Sequence, residues 1–240
     1  MDTKVVSRLS KNLSLLTVGN PKIIKSLGRG YATAGLSLAP AWESGQNTCP
    51  NHSTECSAAC LFFSGRGAMK KVQSARISRT LHYFNDREGF LQLLNSDIYQ
   101  FCANAKALDL EPTFRLNVLS DIRWERHGIP QRWKDVTFYD YTKIPNRKSL
   151  PPNYKLTFSF SGNNLADCRK ALANGISVAV PFKTLPATWL GYPVIDGDAD
   201  DLRFLDPAPC IVGLKAKGPL RKSPQSPFLG DNHAEALNAA

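Results

Sequence analysis

The stretch Y-K-L-T-F-S-F-S-G-N-N-L-A-D-C-R-K-A-L-A-N-G-I-S-V-A-V-P-F, residues 154–182, decides the fold. Residues 154–161 read as a strand that ends at Gly162-Asn163-Asn164. Residues 165–174 read as a short helix, with Leu165, Cys168 and Leu172 on one face and Gly175 closing it. Residues 176–180 read as the next strand, ending at Pro181-Phe182-Lys183. Two strands joined by a crossover helix lie parallel in one sheet.

Working outward from this unit, residues 31–38, 113–119 and 136–141 also read as strands. In the second of these, Phe114, Leu116 and Val118 alternate with Arg115 and Asn117. Two helical patterns separate the first strand from the second. From Arg66 onward, Met69, Val72, Ile77, Leu81 and Phe84 share a face, and Arg66, Lys70, Lys71, Arg76 and Arg79 lie largely off it. Residues 87–108, capped by Asp86, carry Phe90, Leu91, Leu94, Ile98, Phe101, Cys102, Ala105 and Leu108 at helical spacing. Downstream, residues 192–195 and 210–214 complete seven strands. With no Gly-rich turn of the dinucleotide-binding type, the pattern predicts an α/β fold. It is a single-domain partial (β/α) barrel with mostly parallel strands and disordered termini. The expected organisation is a basic arm over residues 1–30, with Lys4, Arg8, Lys11, Lys22, Lys25 and Arg29. The barrel-like domain follows over 31–218, then a disordered tail over 219–240.

Such barrels build their sites where the C-terminal ends of the strands meet. The residues that follow the strands here are polar almost throughout. Asn117, Asp121, Asp140, Lys143, Ser161 and Asn163 are candidate catalytic residues at that mouth. Ser120 and Ser159, with Arg66, Lys70 and Arg76 from the basic helix, are candidate contacts for a cofactor or a phosphate.

The loop after the first strand, residues 47–60, reads N-T-C-P-N-H-S-T-E-C-S-A-A-C. It places Cys49, Cys56 and Cys60 in a C-x6-C-x3-C spacing. Thiolates are soft ligands that suit an iron–sulfur cluster or zinc. Three of them leave one coordination position open. In a zinc site, His52 or Cys210 would fill it. Cys102 and Cys168 fall on apolar helix faces and read as core residues. Asp196, Asp198 and Asp200 begin like a calcium loop, but Asp201 stands where Gly belongs and Pro207 where Glu belongs. An acidic turn is the expectation there, with magnesium binding or contact with lysines as the alternatives.

The chain has 240 residues and a net charge of +10, which favours a polyanionic partner such as DNA or RNA. No apolar run approaches the ~20 residues of a membrane span. The first residues lack a secretory h-region, so the expected location is the cytoplasm. In that compartment clustered cysteines point to metal or redox chemistry. No P-loop, Gly-x-Ser-x-Gly or HExxH motif is present.

Three cysteines in a loop after the first strand of a partial barrel resemble the radical S-adenosylmethionine superfamily, whose usual spacing is C-x3-C-x2-C. That resemblance implies a four-iron cluster, [4Fe-4S], on Cys49, Cys56 and Cys60, whose open iron takes the methionine part of the cofactor. Asn117, Ser120, Ser159 and Ser161 would face that cofactor. A wider resemblance covers residues 20 to 218. Its motifs are Asn47-x-Cys49-Pro50, Cys56-x-x-Ala59-Cys60-Leu61 and Gly65-Arg66-Gly67. It continues through Phe114-Arg115-Leu116-Asn117, Phe138-Tyr139-Asp140-Tyr141-Thr142-Lys143, Asp201-Leu202-Arg203-Phe204-Leu205-Asp206-Pro207 and Gly213-Leu214-Lys215-Ala216-Lys217-Gly218. This set resembles the bacteriophage gene product 88 family and implies a phage origin, with the bacterial host cytoplasm as location. The leading expectation is a phage iron–sulfur protein, a radical-type enzyme acting on nucleic acid or a nucleotide. The alternative is a non-enzymatic nucleic-acid-binding accessory protein with structural zinc or a cluster.

Overall fold

A computed structural model describes residues 3–19 and 24–237. Lys22 of the basic arm and the last three residues lie outside the described part. Nine strands form one sheet: β1 (Leu16–Thr17), β2 (Tyr31–Leu36), β3 (Glu111–Arg115), β4 (Thr137–Thr142), β5 (Tyr154–Ser159), β6 (Val178–Phe182), β7 (Thr188–Trp189), β8 (Tyr192–Asp196) and β9 (Ile211–Lys215). Their order is β1-β2-β3-β4-β5-β6-β9-β8-β7. The seven inner strands run parallel, and β1 and β7 are antiparallel at the two edges. Chain order from β2 to β6 is also spatial order, as in a barrel wound in one direction. Among the described residues β1 and β7 do not pair with each other, so the barrel is partial.

The α-helices of five residues or more among the described residues are α1 (Thr3–Leu9), α2 (Thr54–Ala58), α3 (Lys70–Asn85), α4 (Arg87–Lys106) and α5 (Leu165–Ala173). α4 starts at Asp86, whose carboxylate accepts the Gly89 N–H at 2.9 Å. Its apolar stripe, Phe90, Leu94, Ile98, Phe101 and Ala105, is buried against Ala32, Ala34, Leu36, Phe114 and Phe138 of the sheet. α5 buries Cys168 and Leu172 against Phe158, Phe160, Val178 and Val180. Each large side chain so buried stabilises the fold by about 1.5–3 kcal/mol before entropy is counted. Both helical packings lie on one face of the sheet, here called outer.

The ends of the described chain are docked. The buried Asp97 carboxylate of α4 accepts the N–H groups of Ser14, Leu15 and Leu16 and so fixes β1. Near the C-terminus Leu220, Leu229 and Ala236 are buried, and the Leu190 N–H donates to the Ala236 carbonyl at 2.6 Å.

The inner face is filled at one place by the run after β8. Phe204 sits 5.3 Å from both the Tyr31 and Tyr139 rings. Arg115 donates to Asp201 at 2.7 Å. The acidic run is taken up in such pairs: Lys215 with Asp196, Lys217 with Asp198, and Arg29 and Arg203 with Asp200.

Candidate active site at the barrel mouth

The C-terminal ends of the parallel strands open into a cavity of about 810 Å³. Ligand pockets typically measure ~300–1,000 Å³, so this one suits a small organic molecule. Much of its lining comes from strand ends: Arg115 in β3 with Asn117, Ser120 and Asp121 after it; Tyr141, Thr142 and Lys143 at the end of β4; Ser159 and Phe160 at the end of β5; Pro181 of β6 and Lys215 of β9. The rest comes largely from the cysteine loop with the turns that follow it.

The loop is held from both sides. Thr48 donates its hydroxyl to the Ala39 carbonyl at 2.6 Å, and its own carbonyl accepts the Asp121 N–H at 2.8 Å. The Asn47 side chain accepts the Cys49 N–H at 2.9 Å, an Asx turn. Ser53 is the N-cap of α2, accepting the Cys56 N–H at 3.0 Å, and donates to the Ser161 carbonyl at 2.6 Å. Strand ends β3 and β5 therefore fix the same short loop.

Cys49, Cys56 and Cys60 all line the cavity. Burial pushes the Cys60 thiol up to about 11, and the neighbouring Cys56 and Cys49 push in the same direction. Burial also raises Cys49. The three thiols thus line one space, with Cys60 close enough to the other two to sense their charge. Among the described residues, however, no three His, Cys, Asp or Glu side chains are placed to hold a metal ion as they stand. His52 lines the cavity too, and its Nδ1 donates to the Cys49 carbonyl at 2.6 Å, which leaves Nε2 as the lone-pair nitrogen. Cys210 is remote from this group. It precedes β9, whose other end reaches the mouth, and contacts Ser177 at 3.5 Å. The expectation of Cys210 as a fourth ligand is therefore corrected.

Two cations face the thiols. Burial pulls Lys143 down, but Cys56, Asp121 and Cys49 outweigh it, so its pKa is raised. The Lys143 N–H donates to the Asp121 carboxylate at 2.7 Å. Burial lowers Arg76, and Cys60 opposes the shift. Arg76 Nη1 is buried with no hydrogen-bond partner among the described residues. The Tyr141 hydroxyl is a second such group on the cavity wall. A buried guanidinium nitrogen left this way costs free energy.

Of the expected site residues, Asn117, Asp121, Lys143, Ser120, Ser159, Arg66 and Arg76 line the cavity with the three cysteines. Asp140, Ser161, Asn163 and Lys70 do not. Asp140 points to the outer face, where it accepts the Asn117 N–H at 2.7 Å and the Tyr154 hydroxyl at 2.8 Å. Ser161 donates to Asn163 at 2.9 Å, and both stay in the turn after β5. Lys70 begins α3 in solvent. Asn117 lines the cavity but spends its side chain on the turn that follows, accepting from Ser120, Ile122 and Trp124. Arg115 and Tyr141 were not singled out from sequence. Their signal was the inward register of β3 and β4, which puts an arginine and a tyrosine on the cavity side.

No helix is long and apolar enough to cross a membrane among the described residues. Comparison with curated proteins gave no match, and comparison with solved structures gave none. The sequence matches the family model described as Gene product 88 over residues 11–232, and the chain belongs to that family.

Proposed function

We propose that Cys49, Cys56 and Cys60 hold an iron–sulfur cluster at the barrel mouth, and that the chain is a radical-type enzyme using S-adenosylmethionine in the adjoining cavity. The observation that carries this reading is the meeting, around one cavity, of three thiols and Arg76, whose buried Nη1 has no hydrogen-bond partner among the described residues. The donor set fits: three soft ligands leave one metal position for a cofactor. A single tetrahedral zinc would need its sulfurs about 3.8 Å apart, given Zn–S bonds of about 2.3 Å. A cluster instead spreads its ligands over separate corners. When bound, the cluster would supply one-electron chemistry to the cofactor. The chain's own part is to bind and to position. Arg76, and Arg66 beside it on the wall, would meet the carboxylate of the cofactor or a phosphate. Lys143 would offset the negative charge of the thiolates. Ser159 would offer its hydroxyl to the cofactor, and Ser120, whose proton goes to Asn117, would offer a lone pair.

A second reading is a nucleic-acid-binding phage accessory protein in which the metal, zinc or cluster, is only a staple. It draws on Asn117 and Asp140, whose polar groups are consumed by structural hydrogen bonds rather than offered to a ligand. In both readings DNA or RNA is the partner and the host cytoplasm the location.

Anaerobic purification followed by iron, sulfide and zinc analysis decides between them, with the Cys49→Ala/Cys56→Ala/Cys60→Ala variant alongside. About four irons per chain, lost in the variant, is the expected result. Cleavage of S-adenosylmethionine by the reduced protein then separates enzyme from staple. One zinc and no iron would sink the radical-enzyme reading.

A further inference from the structure

The wall of the mouth beyond Cys60 is a surface with an unusual composition. Residues 61–71 read L-F-F-S-G-R-G-A-M-K-K, and residues 217–222 read K-G-P-L-R-K. The two runs abut, with Gly218 packed on Ser64 so closely that a methyl group there would collide with the serine hydroxyl. Neither contains Asp or Glu. Arg66, Lys70, Lys71, Arg221 and Lys222 are exposed, and none is in an ion pair among the described residues. Between them Leu61, Phe63 and Met69 are 49%, 46% and 55% exposed. Trp42 is 62% exposed, between Ala41 and Glu43, which line the same cavity.

We propose that this rim binds single-stranded nucleic acid, with phosphates on the five cations, bases stacked on Phe63 and Trp42, and one unstacked base entering the cavity. Cations interleaved with exposed aromatic rings are the pattern that tracks a flexible polyanion with flat faces. A duplex hides those faces. An anionic membrane would also favour cations beside apolar side chains, but this run leads to a cavity that Phe63 and Arg66 line and that a flat lipid surface would leave unused. The inference deepens the proposed function by naming its substrate class. It needs that reading only for what happens inside the cavity, because the rim residues are not cluster ligands.

The test is fluorescence anisotropy with a labelled 20-nucleotide single strand, DNA and RNA in turn, on the full chain purified anaerobically, with iron measured on the same sample. Saturable binding that weakens with salt is expected. Phe63→Ala should weaken it about 5- to 150-fold, the range for losing one stacked base. Lys70→Ala/Lys71→Ala should flatten the log–log salt slope by about 1.4, at about 0.7 for each phosphate no longer neutralised. Lys148→Ala/Lys155→Ala, exposed cations before and at the start of β5, should change neither. Rim variants that behave like this control would overturn the proposal. So would equal affinity for a duplex, or Phe63-dependent binding to phosphatidylserine vesicles without binding to the oligonucleotide. Iron without oligonucleotide binding removes the rim proposal alone. Oligonucleotide binding without iron removes the cluster reading alone.

Discussion

The Ser53 hydroxyl donates to the Ser161 carbonyl at 2.6 Å while accepting the Cys56 N–H at 3.0 Å. One atom thus caps the helical turn that carries Cys56 and ties it to the end of β5, 108 residues away in sequence. Removing it leaves a buried carbonyl and an orphan N–H. Ser53→Ala is expected to cost about 1–2 kcal/mol. In a domain of this size that is a fall in Tm of roughly 2–8 °C. Ser53→Thr, which keeps the hydroxyl, should recover most of the loss. If the Ala variant melts with the parent, the loop is held by Thr48 alone.

Arg115 and Asp201 carry a second kind of link. Their ion pair joins β3 to the run after β8 at 2.7 Å, with the Asp201 side chain fully buried. Burial opposes the charge on Arg115, but Asp201 and the nearby tyrosines raise its pKa. Breaking one side of a buried pair typically costs about 3–5 kcal/mol, while removing both charges costs less. Arg115→Met should therefore destabilise more than Arg115→Met/Asp201→Asn, measured by urea unfolding. Equal midpoints for single and double variants would mean that the pair is not coupled.

The same strand shows why the fold was more legible than the site. Strands β2 to β6, β8 and β9 announce themselves by apolar runs bounded by turn residues, and the helix starting after Asp86 by its spacing and cap. β1 and β7 have two residues each, too few to show a period. The composition of residues 219–240 does not disclose that Leu229 and Ala236 reach the sheet. At the mouth, position after a strand is a weaker guide than parity along it. Tyr139 and Tyr141 face inward, so Asp140 between them must face the helices. Its polarity alone suggested the opposite. By the same rule, Arg115 between Phe114 and Leu116 had to point to the inner face, and the ion pair with Asp201 is what an arginine there requires. The burial that leaves Arg76 Nη1 without a partner depends on the packing of residues 61–67 over α3, which no local pattern encodes.

Asp140 makes a prediction in pH. Burial raises its pKa to about 7, against the Asn117 N–H, Arg115, Tyr154 and Arg147, which lower it. In the unfolded chain an aspartate titrates near 3.9. Between those values the folded state holds more proton than the unfolded one, so this group's contribution falls as pH rises from about 4 to about 7 and is level above. Asp140→Asn removes the titration and keeps an acceptor for the Asn117 N–H. The drop in urea midpoint from pH 5 to pH 7.5 should be smaller in the variant than in the parent. An unchanged drop would place the titration elsewhere.

Gly230 tests the docking of the C-terminal segment. Its carbonyl accepts the Trp189 indole N–H at 3.2 Å, and the next residue, Asp231, accepts the Lys183 N–H at 2.7 Å. A methyl group on Gly230 would collide with the Phe182 ring and with Val180, which lie on β6 in the outer core. Glycine is needed for this close approach rather than for its dihedral freedom, and overpacking of this kind costs about 1–3 kcal/mol. Gly230→Ala should lift the segment locally before it unfolds the sheet. The Leu190 N–H, which donates to the Ala236 carbonyl, should then exchange faster with solvent. Amides of β4, far from the segment, should keep their parent rates. Slow exchange at Leu190 in the variant would show that the segment tolerates the methyl group, and that its contact with β6 does not hold it.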